Sequence, residues 1–409
     1  MNQELTMNEW LHKLFTSACL GLMCLCCTAS WADAGRYEGD VILLGMSTAL
    51  SGPAAELGQN MLDGVNAGLY RFNQQGGINN RKVKVIALDD GYEPNFTIPN
   101  MHRLIDEYKV LAVIGNVGTP TAIAAIPIAN QKRTLLFAPY TGAGTLRKNP
   151  PDRYVINYRA SYAQETAVMI DALIDHAGLK PEEIAFFTQL DSYGDAGFFG
   201  GIAALKRHGL VNESAVTHTR YQRNTMAVEN SIADILLADP APRAIIMVGA
   251  YEPSAKFIKL ARKNGIKATF LNVSFVGSEP LQRQFDSDIE NIIITQVVPH
   301  HADTTLQIVR DFHTDLQTLY PDVEPTFGAL EGYIASQILV KAMGPFQVVP
   351  SRESLIDALE EMGTFDIGLG VDLTLNSEEH QASEKVWPTI LINSEFQSFL
   401  WKDLMQYIN

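Results

Sequence analysis

The stretch that decides the fold runs from Val41 to Asn95 and reads VILLGMSTALSGPAAELGQNMLDGVNAGLYRFNQQGGINNRKVKVIALDDGYEPN. It begins with an apolar segment typical of a buried strand, followed by a turn of small residues and one long amphipathic helix pattern. A second strand pattern and an acidic turn, Asp89-Asp90, complete the stretch, and we interpret that turn as a solvated strand end. The strand–helix–strand order predicts a parallel sheet. Ligands bind such sheets at the carboxyl ends of the strands, where the turn at residues 47–58 lies.

Strand and helix patterns alternate along most of the remaining chain. Predicted strands cover residues 110–115, 134–138, 154–158, 183–188, 215–221, 244–248, 268–273 and 291–298, with a later one at 386–392. Predicted helices cover residues 119–131, 164–177, 194–208, 226–238, 253–264, 304–320, 326–343 and 351–361. Because the strands are too many for one ordinary sheet, the pattern predicts two doubly wound α/β lobes.

Composition and charge exclude several classes of function. The chain has 409 residues and a net charge of −15, without a basic patch, which argues against nucleic acid and anionic membranes as partners. The sequence lacks the common nucleotide-binding, serine-hydrolase and zinc-protease motifs. The histidines are scattered, and His300-His301 with His313 does not match a common zinc spacing. We therefore expect neither a cofactor nor a metal, and not an enzyme.

The first 32 residues have the pattern of a cleavable signal peptide. His12 and Lys13 precede an apolar run, and small residues near positions 32–34 suit cleavage. All four cysteines lie in this leader, so the predicted mature chain contains neither a disulfide nor a thiolate. Acylation of a leader cysteine, giving a lipoprotein, is the alternative. We expect an exported protein, and the resemblance described next implies a periplasmic location.

Three motifs carry a family resemblance: L-S-G-P-x-A-x-x-G at residues 50–58, N-x-x-G-G-I at 73–78 and D-D at 89–90. The chain thereby resembles the branched-chain amino-acid-binding proteins of bacterial ABC importers, which are type I periplasmic binding proteins. The resemblance implies a periplasmic-binding-protein-like I fold of two lobes joined by a three-segment hinge. It also implies discontinuous lobes, which we place at residues 36–157 with 299–365 and at 158–298 with 366–409.

The resemblance places ligand-binding residues at the strand ends of the first lobe. Thr119 precedes Pro120 at the start of a helix, where it is placed to cap that helix and to bind a carboxylate. Tyr140, Thr141 and Gly142 follow the next strand, although family members often carry the threonine one position later. Leu57, beside Glu56 in the first turn, would face the variable part of the ligand.

In the second lobe the resemblance indicates two tyrosines and one departure from the family pattern. Tyr193 and Tyr251 each follow a strand, where an aromatic ring can close over the ligand. Ser274 stands where the amino-acid binders have an acidic residue that pairs with the ligand's α-ammonium. Either a nearby acid (Glu252, Asp191 or Glu279) substitutes, or the ligand has no α-ammonium group. The segment 328–334 is interpreted as helix packing rather than as part of a site.

The predicted function is capture of a small carboxylate-bearing or amino-acid-like solute between the lobes, by a monomer that delivers it to a membrane ABC permease. Ligand binding would favour closure because only the closed form offers contacts from both lobes. The alternative is a periplasmic sensor subunit that signals to a membrane receptor or kinase.

Overall fold

Two sheets organise the chain, and each is the centre of one lobe. The structure, a computed structural model, describes residues 41–285 and 289–408. The predicted signal peptide and its cysteines lie outside the described residues. No helix in the described ranges is both long enough and apolar enough to cross a bilayer.

The sheet of lobe I has five strands, and all of its strand pairs are parallel. The strands are β1 (Val41–Thr48), β2 (Lys82–Asp89), β3 (Ala112–Ile114), β4 (Leu135–Phe137) and β5 (Val155–Ile156), in the order β2-β1-β3-β4-β5. The connecting helices are α1 (Ala55–Gln74), α2 (Pro94–His102) and α3 (Thr119–Gln131). Parallel strands in this order bring the turns after β1, β3 and β4 to one edge of the sheet.

The sheet of lobe II has seven strands. They are β6 (Ile184–Gln189), β7 (His218–Tyr221), β8 (Ala244–Val248), β9 (Thr269–Asn272), β10 (Ile292–Gln296), β13 (Trp387–Ile392) and β14 (Glu395–Ser398), in the order β14-β13-β10-β9-β8-β6-β7. The intervening helices are α4 (Tyr162–Asp175), α5 (Ser192–Arg207), α6 (Glu229–Leu236), α7 (Tyr251–Lys263) and α8 (Ser278–Gln282). The pairs β10–β13 and β13–β14 are antiparallel, whereas the pairs from β10 through β9, β8 and β6 to β7 are parallel. The parallel strands read as continuous apolar runs because helices cover both faces.

The late helices return to lobe I. Helices α9 (Gln307–Leu319) and α10 (Phe327–Met343) pack on α1, and α11 (Arg352–Glu360) packs on α10. Close packing of α1 on α10 needs glycine, because a Cβ on Gly64 would lie 1.9 Å from the carbonyl oxygen of Ala329. This contact sets the position of α10 over the carboxyl edge of the sheet.

Three chain segments join the lobes. The segment after β5 pairs with residues 380–383, since the amide of Asn157 donates to the carbonyl of His380 at 2.7 Å. The Tyr158 hydroxyl donates to the carbonyl of Val297, which follows β10, at 2.9 Å. A small antiparallel pair, β11 (Gly363–Phe365) and β12 (Leu373–Leu375), lies in the third segment. We propose that the lobes divide at the boundaries predicted from the sequence, residues 36–157 with 299–365 and residues 158–298 with 366–409.

Three local predictions were wrong. The helix predicted at 226–238 spans only Glu229–Leu236, and the strand predicted from 215 begins at His218 because a 3-10 turn precedes it. The strand end at Asp89-Asp90 is only half solvated. Asp90 is buried and accepts hydrogen bonds from Ser47 Oγ at 2.7 Å and Thr97 Oγ1 at 3.0 Å, so it holds the first turn in place.

Candidate functional site

Two threonines of lobe I meet at the carboxyl edge of its sheet. Thr119 begins α3 directly after β3, and Thr141 follows β4. Both are fully buried, and their hydroxyl oxygens lie 2.7 Å apart and share a hydrogen bond. Each hydroxyl still has lone-pair or proton capacity for a second partner. The fold thus brings two predicted site residues together without using up their hydrogen-bonding groups.

Thr119 is not the helix cap that the sequence suggested. The N-cap position belongs to Gly118, and α3 already includes Thr119 as its first residue. Thr121, two positions further on, directs its hydroxyl to the carbonyl oxygens of Val117 and Gly118. Thr121 therefore satisfies these two carbonyls, whereas the Thr119 hydroxyl shares its hydrogen bond with Thr141.

Tyr140 and Gly142 flank Thr141 and serve different purposes. The amide of Tyr140 donates to the carbonyl of Asn116 at 2.8 Å, which extends the β3–β4 pairing to the strand ends. Gly142 accepts a hydrogen bond from the amide of Tyr162 at 2.8 Å. A Cβ on Gly142 would lie 2.6 Å from that same nitrogen, so only glycine allows this approach. Position 142 is thus explained by packing against the first residue of α4.

Aromatic rings of lobe II pack against one another and against Tyr140 of lobe I. Tyr193 is fully buried at the start of α5, and its ring centroid lies 5.2 Å from that of Tyr162 and 4.5 Å from that of Phe275. Phe275 also contacts the ring of Tyr140 in lobe I, with centroids 5.6 Å apart. Phe275 therefore lies between the predicted tyrosines of the two lobes, at the centre of the site.

Tyr251 and Leu57 lie at the edge of the site rather than in its polar centre. Leu57 is buried and packs against Gly277, which joins the first turn of lobe I to lobe II. Burial raises the pKa of Tyr251 to about 12, the carboxylate of Glu56 adds to that increase, and the Glu56 backbone amide opposes it. The structure thus places both predicted residues at one lobe contact, near Glu56.

Ser274 has an acidic neighbour that the sequence did not indicate. Glu165, on α4, accepts a hydrogen bond from the Ser274 amide at 2.8 Å and another from its hydroxyl at 3.0 Å. Of the three acids considered from sequence, Asp191 pairs with Arg223 and Glu279 accepts from the backbone of Phe327. The acid beside Ser274 is therefore Glu165.

The charge at the centre of the site is Arg159, from the hinge segment after β5. Its guanidinium is 1% exposed and donates a hydrogen bond through Nη2 to Ser274 Oγ. It lies 3.5 Å from one carboxylate oxygen of Glu165 and 3.5 Å from one of Glu331, on α10. Its Cζ is 4.8 Å from the ring centroid of Tyr140. Residues of the hinge and of both lobes therefore converge on a single buried cation.

Burial changes the acidity of this cluster. It raises the pKa of Glu331 to about 7, against the opposing positive charge of Arg159. Burial also raises the pKa of Glu165, and Arg159 together with the donors from Ser274 and Thr295 opposes that increase. Burial thus favours the protonated form of both carboxyl groups, and the positive charge of Arg159 opposes this effect at both.

Contacts across the rim close the lobes on each other. Arg223 of lobe II lies 2.8 Å from Glu93 of lobe I, and Asn224 donates to the same carboxylate at 2.7 Å. On another part of the rim, Arg283 forms an ion pair with Glu56. The central residues are consequently shielded from solvent in this arrangement.

The sequence patterns did not indicate four of the central residues: Arg159, Tyr162, Glu165 and Phe275. A fifth, Glu331, lies in the segment that was interpreted as helix packing. The available signal was a charge within an apolar helix, since α10 is otherwise almost wholly buried. Within residues 41–285 and 289–408, no cluster of three or more histidine, cysteine or acidic residues could hold a metal ion.

Relatives of known sequence or structure share this architecture. A possible leucine/isoleucine/valine-binding protein from Rhodopirellula baltica is 52% identical, with a TM-score of 0.87, over 91% of this chain and 100% of that structure. The Leu/Ile/Val-binding protein homolog 7 of Brucella abortus is 23% identical over 88% of this chain and 92% of its own length. The branched-chain amino acid transporter substrate binding protein LivJ from Streptococcus pneumoniae, solved in complex with isoleucine, shares the fold at 17% identity and a TM-score of 0.73, over 87% of this chain and 98% of its own.

The family model covers both lobes. The sequence model of the family described as "Periplasmic binding protein" matches residues 41–392. The predicted fold of two doubly wound α/β lobes joined by a three-segment hinge is confirmed, and so is the resemblance to branched-chain amino-acid-binding proteins. The chain belongs to the periplasmic binding protein family.

Proposed function

We propose that the protein captures a small carboxylate-bearing or amino-acid-like solute between its lobes and delivers it to a membrane ABC permease. One observation supports this proposal: buried hydroxyls of lobe I and the buried Ser274–Arg159 pair lie near each other between the lobes, connected by the contact of Arg159 with Tyr140 at 4.8 Å. A solute held there contacts both lobes at once, so its binding energy favours closure.

The site performs binding rather than chemistry. Its aromatic rings supply apolar contact area, and its hydroxyls and guanidinium fix the orientation of polar groups, as in other small-molecule sites. Of the titratable central residues, Glu165 and Glu331 each pair with Arg159. The protein therefore acts as a carrier, and we expect it to return the solute unchanged.

A thermal-shift screen of small metabolites tests the binding function directly. A ligand present at about 100 times its dissociation constant stabilises the native state by about 2.7 kcal/mol, which gives a clear rise in melting temperature. Thr119→Val serves as the matched variant, since it removes one hydroxyl from the site. A solute that stabilises both proteins equally binds elsewhere, and a screen without any stabilising solute would contradict the proposal.

Delivery to a permease requires a second measurement. We expect the liganded protein to stimulate ATP hydrolysis by the permease complex whose genes neighbour its own, reconstituted in vesicles. We also propose a periplasmic location after removal of residues 1–32, and a monomer, which sedimentation at micromolar concentration will check. Stimulation of a neighbouring kinase instead of an ATPase would assign the protein to sensing.

A further inference from the structure

The guanidinium of Arg159 has unused hydrogen-bond donors inside the closed site. Its Nε and Nη1 atoms are buried and make no hydrogen bond to the described residues, although Nη1 forms a 3.5 Å ion pair with Glu331. Five N–H groups in a fixed plane make an arginine suited to the two oxygens of a carboxylate. Because unsatisfied donors on a buried charge are costly, an acceptor arriving with the ligand would be strongly bound.

We propose that Arg159 is the counter-charge of the ligand, and that the solute is a small carboxylate without an α-ammonium group. This inference rests on the solute-binding function proposed above and narrows its ligand class. The guanidinium lies where it can act, between Ser274 of lobe II and Glu331 of lobe I. Since it comes from the hinge segment, it can hold the same ligand while the lobes open and close.

The acids of the site leave little capacity for a ligand ammonium group. Glu165 already accepts hydrogen bonds from Ser274 and, at 2.6 Å, from the hydroxyl of Thr295, and it also pairs with Arg159. Glu331 pairs with the opposite side of the same guanidinium. An ammonium group would have to share these carboxylates with Arg159 and would be repelled by its guanidinium. A ligand carboxylate is repelled by Glu165 and Glu331 in turn, and protonation of Glu331, whose pKa burial raises to about 7, removes one of these two negative charges.

The neutral groups around Arg159 suit the rest of such a ligand. The hydroxyl of Tyr162 is buried close to Thr141 and Gly142 and makes no well-formed hydrogen bond to the described residues, and the Cζ of Arg159 lies 5.8 Å from its ring centroid. The hydrogen-bonded hydroxyls of Thr119 and Thr141 leave one O–H donor and free lone pairs on the lobe I side. The rings of Tyr140, Tyr193 and Phe275 present apolar faces, which favours an apolar or aromatic body behind the carboxylate.

A bound carboxylate should also take up a proton at Glu331. The charged or titratable groups that face Glu331 are Arg159, Arg147, Glu165, Tyr140 and Tyr158. Burial already raises the pKa of Glu331 to about 7, and a further negative charge beside Arg159 raises it again. Affinity for the acid therefore increases as pH falls from 8 to 6, whereas a zwitterionic amino acid lacks this net-charge effect.

The experiment compares amino acids with their deaminated counterparts by calorimetry. The probes are leucine with 4-methylpentanoate, phenylalanine with 3-phenylpropanoate, and alanine with propanoate. Each pair differs only by the ammonium group, so the carbon skeleton is controlled within the pair. We expect the acid of at least one pair to bind at least tenfold more tightly than its amino acid, with proton uptake that shows as buffer-dependent heat near pH 7.

Two variants assign the effect to the guanidinium. Arg159→Met removes the charge and should weaken binding of the acid by about 100-fold or more, whereas Arg159→Lys keeps the charge but not the planar fork and should lose less. Arg310→Met removes an exposed arginine of α9 and should leave affinity unchanged. If Arg159→Met does not fold, the Arg159→Lys variant and the comparison of each acid with its amino acid on the wild type still test the proposal.

The outcomes separate the ligand class from the binding function. Tighter binding of an amino acid than of its deaminated acid, with affinity retained in Arg159→Lys or Arg159→Met, overturns the inference and leaves the binding function intact. If the wild type binds none of the six probes but a neutral or cationic metabolite stabilises it in the screen, the inference is likewise overturned. If no solute stabilises the protein at all, the proposed function fails with it.

Discussion

The lobe I side of the site and the side formed by the hinge and lobe II recognise ligands by different physics. Lobe I offers uncharged hydroxyls, Thr119 and Thr141, fixed at strand ends by the sheet itself. The opposite side offers Arg159 and Glu165, which are charged, buried and held mainly by each other and by Ser274. The first side can tolerate changes in hydrogen bonding at modest cost, whereas the second depends on charge balance. One site can thus combine a neutral side, the hydroxyls of Thr119 and Thr141, with a charged side, Arg159 and Glu165, whose stability depends on charge balance.

Substitution on the charged side should show the largest effect on stability. Glu165→Gln removes the lobe II carboxylate from Arg159 and leaves Glu331 as its remaining carboxylate partner, so the cost should approach the about 3–5 kcal/mol of a broken buried pair. Urea unfolding of the variant measures this. Glu213→Gln, which breaks an exposed pair with Lys206, is the control and should cost less than about 1 kcal/mol. A loss as small as the control's would show that the cluster is not charge-coupled.

Glu331 should make stability depend on pH in a predictable direction. Because the folded state raises its pKa from 4.5 to about 7, the native protein binds the extra proton between these values. Stability therefore falls as pH rises from about 4.5 to about 7 and levels off above, by an amount on the order of 3 kcal/mol. The difference in unfolding free energy between wild type and Glu331→Gln isolates this contribution. A difference that stays constant over this range would contradict it.

The neutral side should respond in ligand affinity as well as in stability, of which loss of the Thr119–Thr141 hydrogen bond costs about 1 kcal/mol. Thr119→Val removes a hydroxyl that faces the site and is not the helix cap, so it should weaken ligand binding by about 1.5–3 kcal/mol if the group contacts a charged ligand atom. Thr121→Val is the matched control on the same helix, because its hydroxyl bonds only to backbone carbonyls. We expect the control to lose about 1 kcal/mol of stability and no affinity. The reverse pattern would return Thr119 to a purely structural role.

The smallest effect is expected at the exposed rim. Arg283→Met removes the ion pair with Glu56, and both side chains are about half exposed, at 51% and 42%. Exposed pairs contribute about 0.2–1 kcal/mol and are screened by salt. Ligand affinity measured at low and at high salt should therefore differ little between variant and wild type. A large loss would mean that the rim, and not the central cluster, controls closure.

Much of the fold follows from the sequence because its signals are local. Buried parallel strands must be apolar along their whole length, and the helices between them must show one apolar face, so alternation alone predicts doubly wound lobes. The helix at residues 119–131 was predicted with its observed bounds for this reason. Boundaries failed where short turns intervene, as before β7, because such turns have no periodic pattern.

The sequence by itself determined where the strands end, and so predicted that four residues directly follow strands: Thr119, Thr141, Tyr193 and Ser274. Only the tertiary structure decided what surrounds them. Ser274 and Glu165 are 109 positions apart, and Arg159 meets Glu331 through the packing of α10 on α1. Burial of a charge depends on such distant contacts, which no local pattern encodes. Local sequence patterns therefore predict where along the chain the site residues lie, whereas the charged environment of the site arises only from contacts between distant segments.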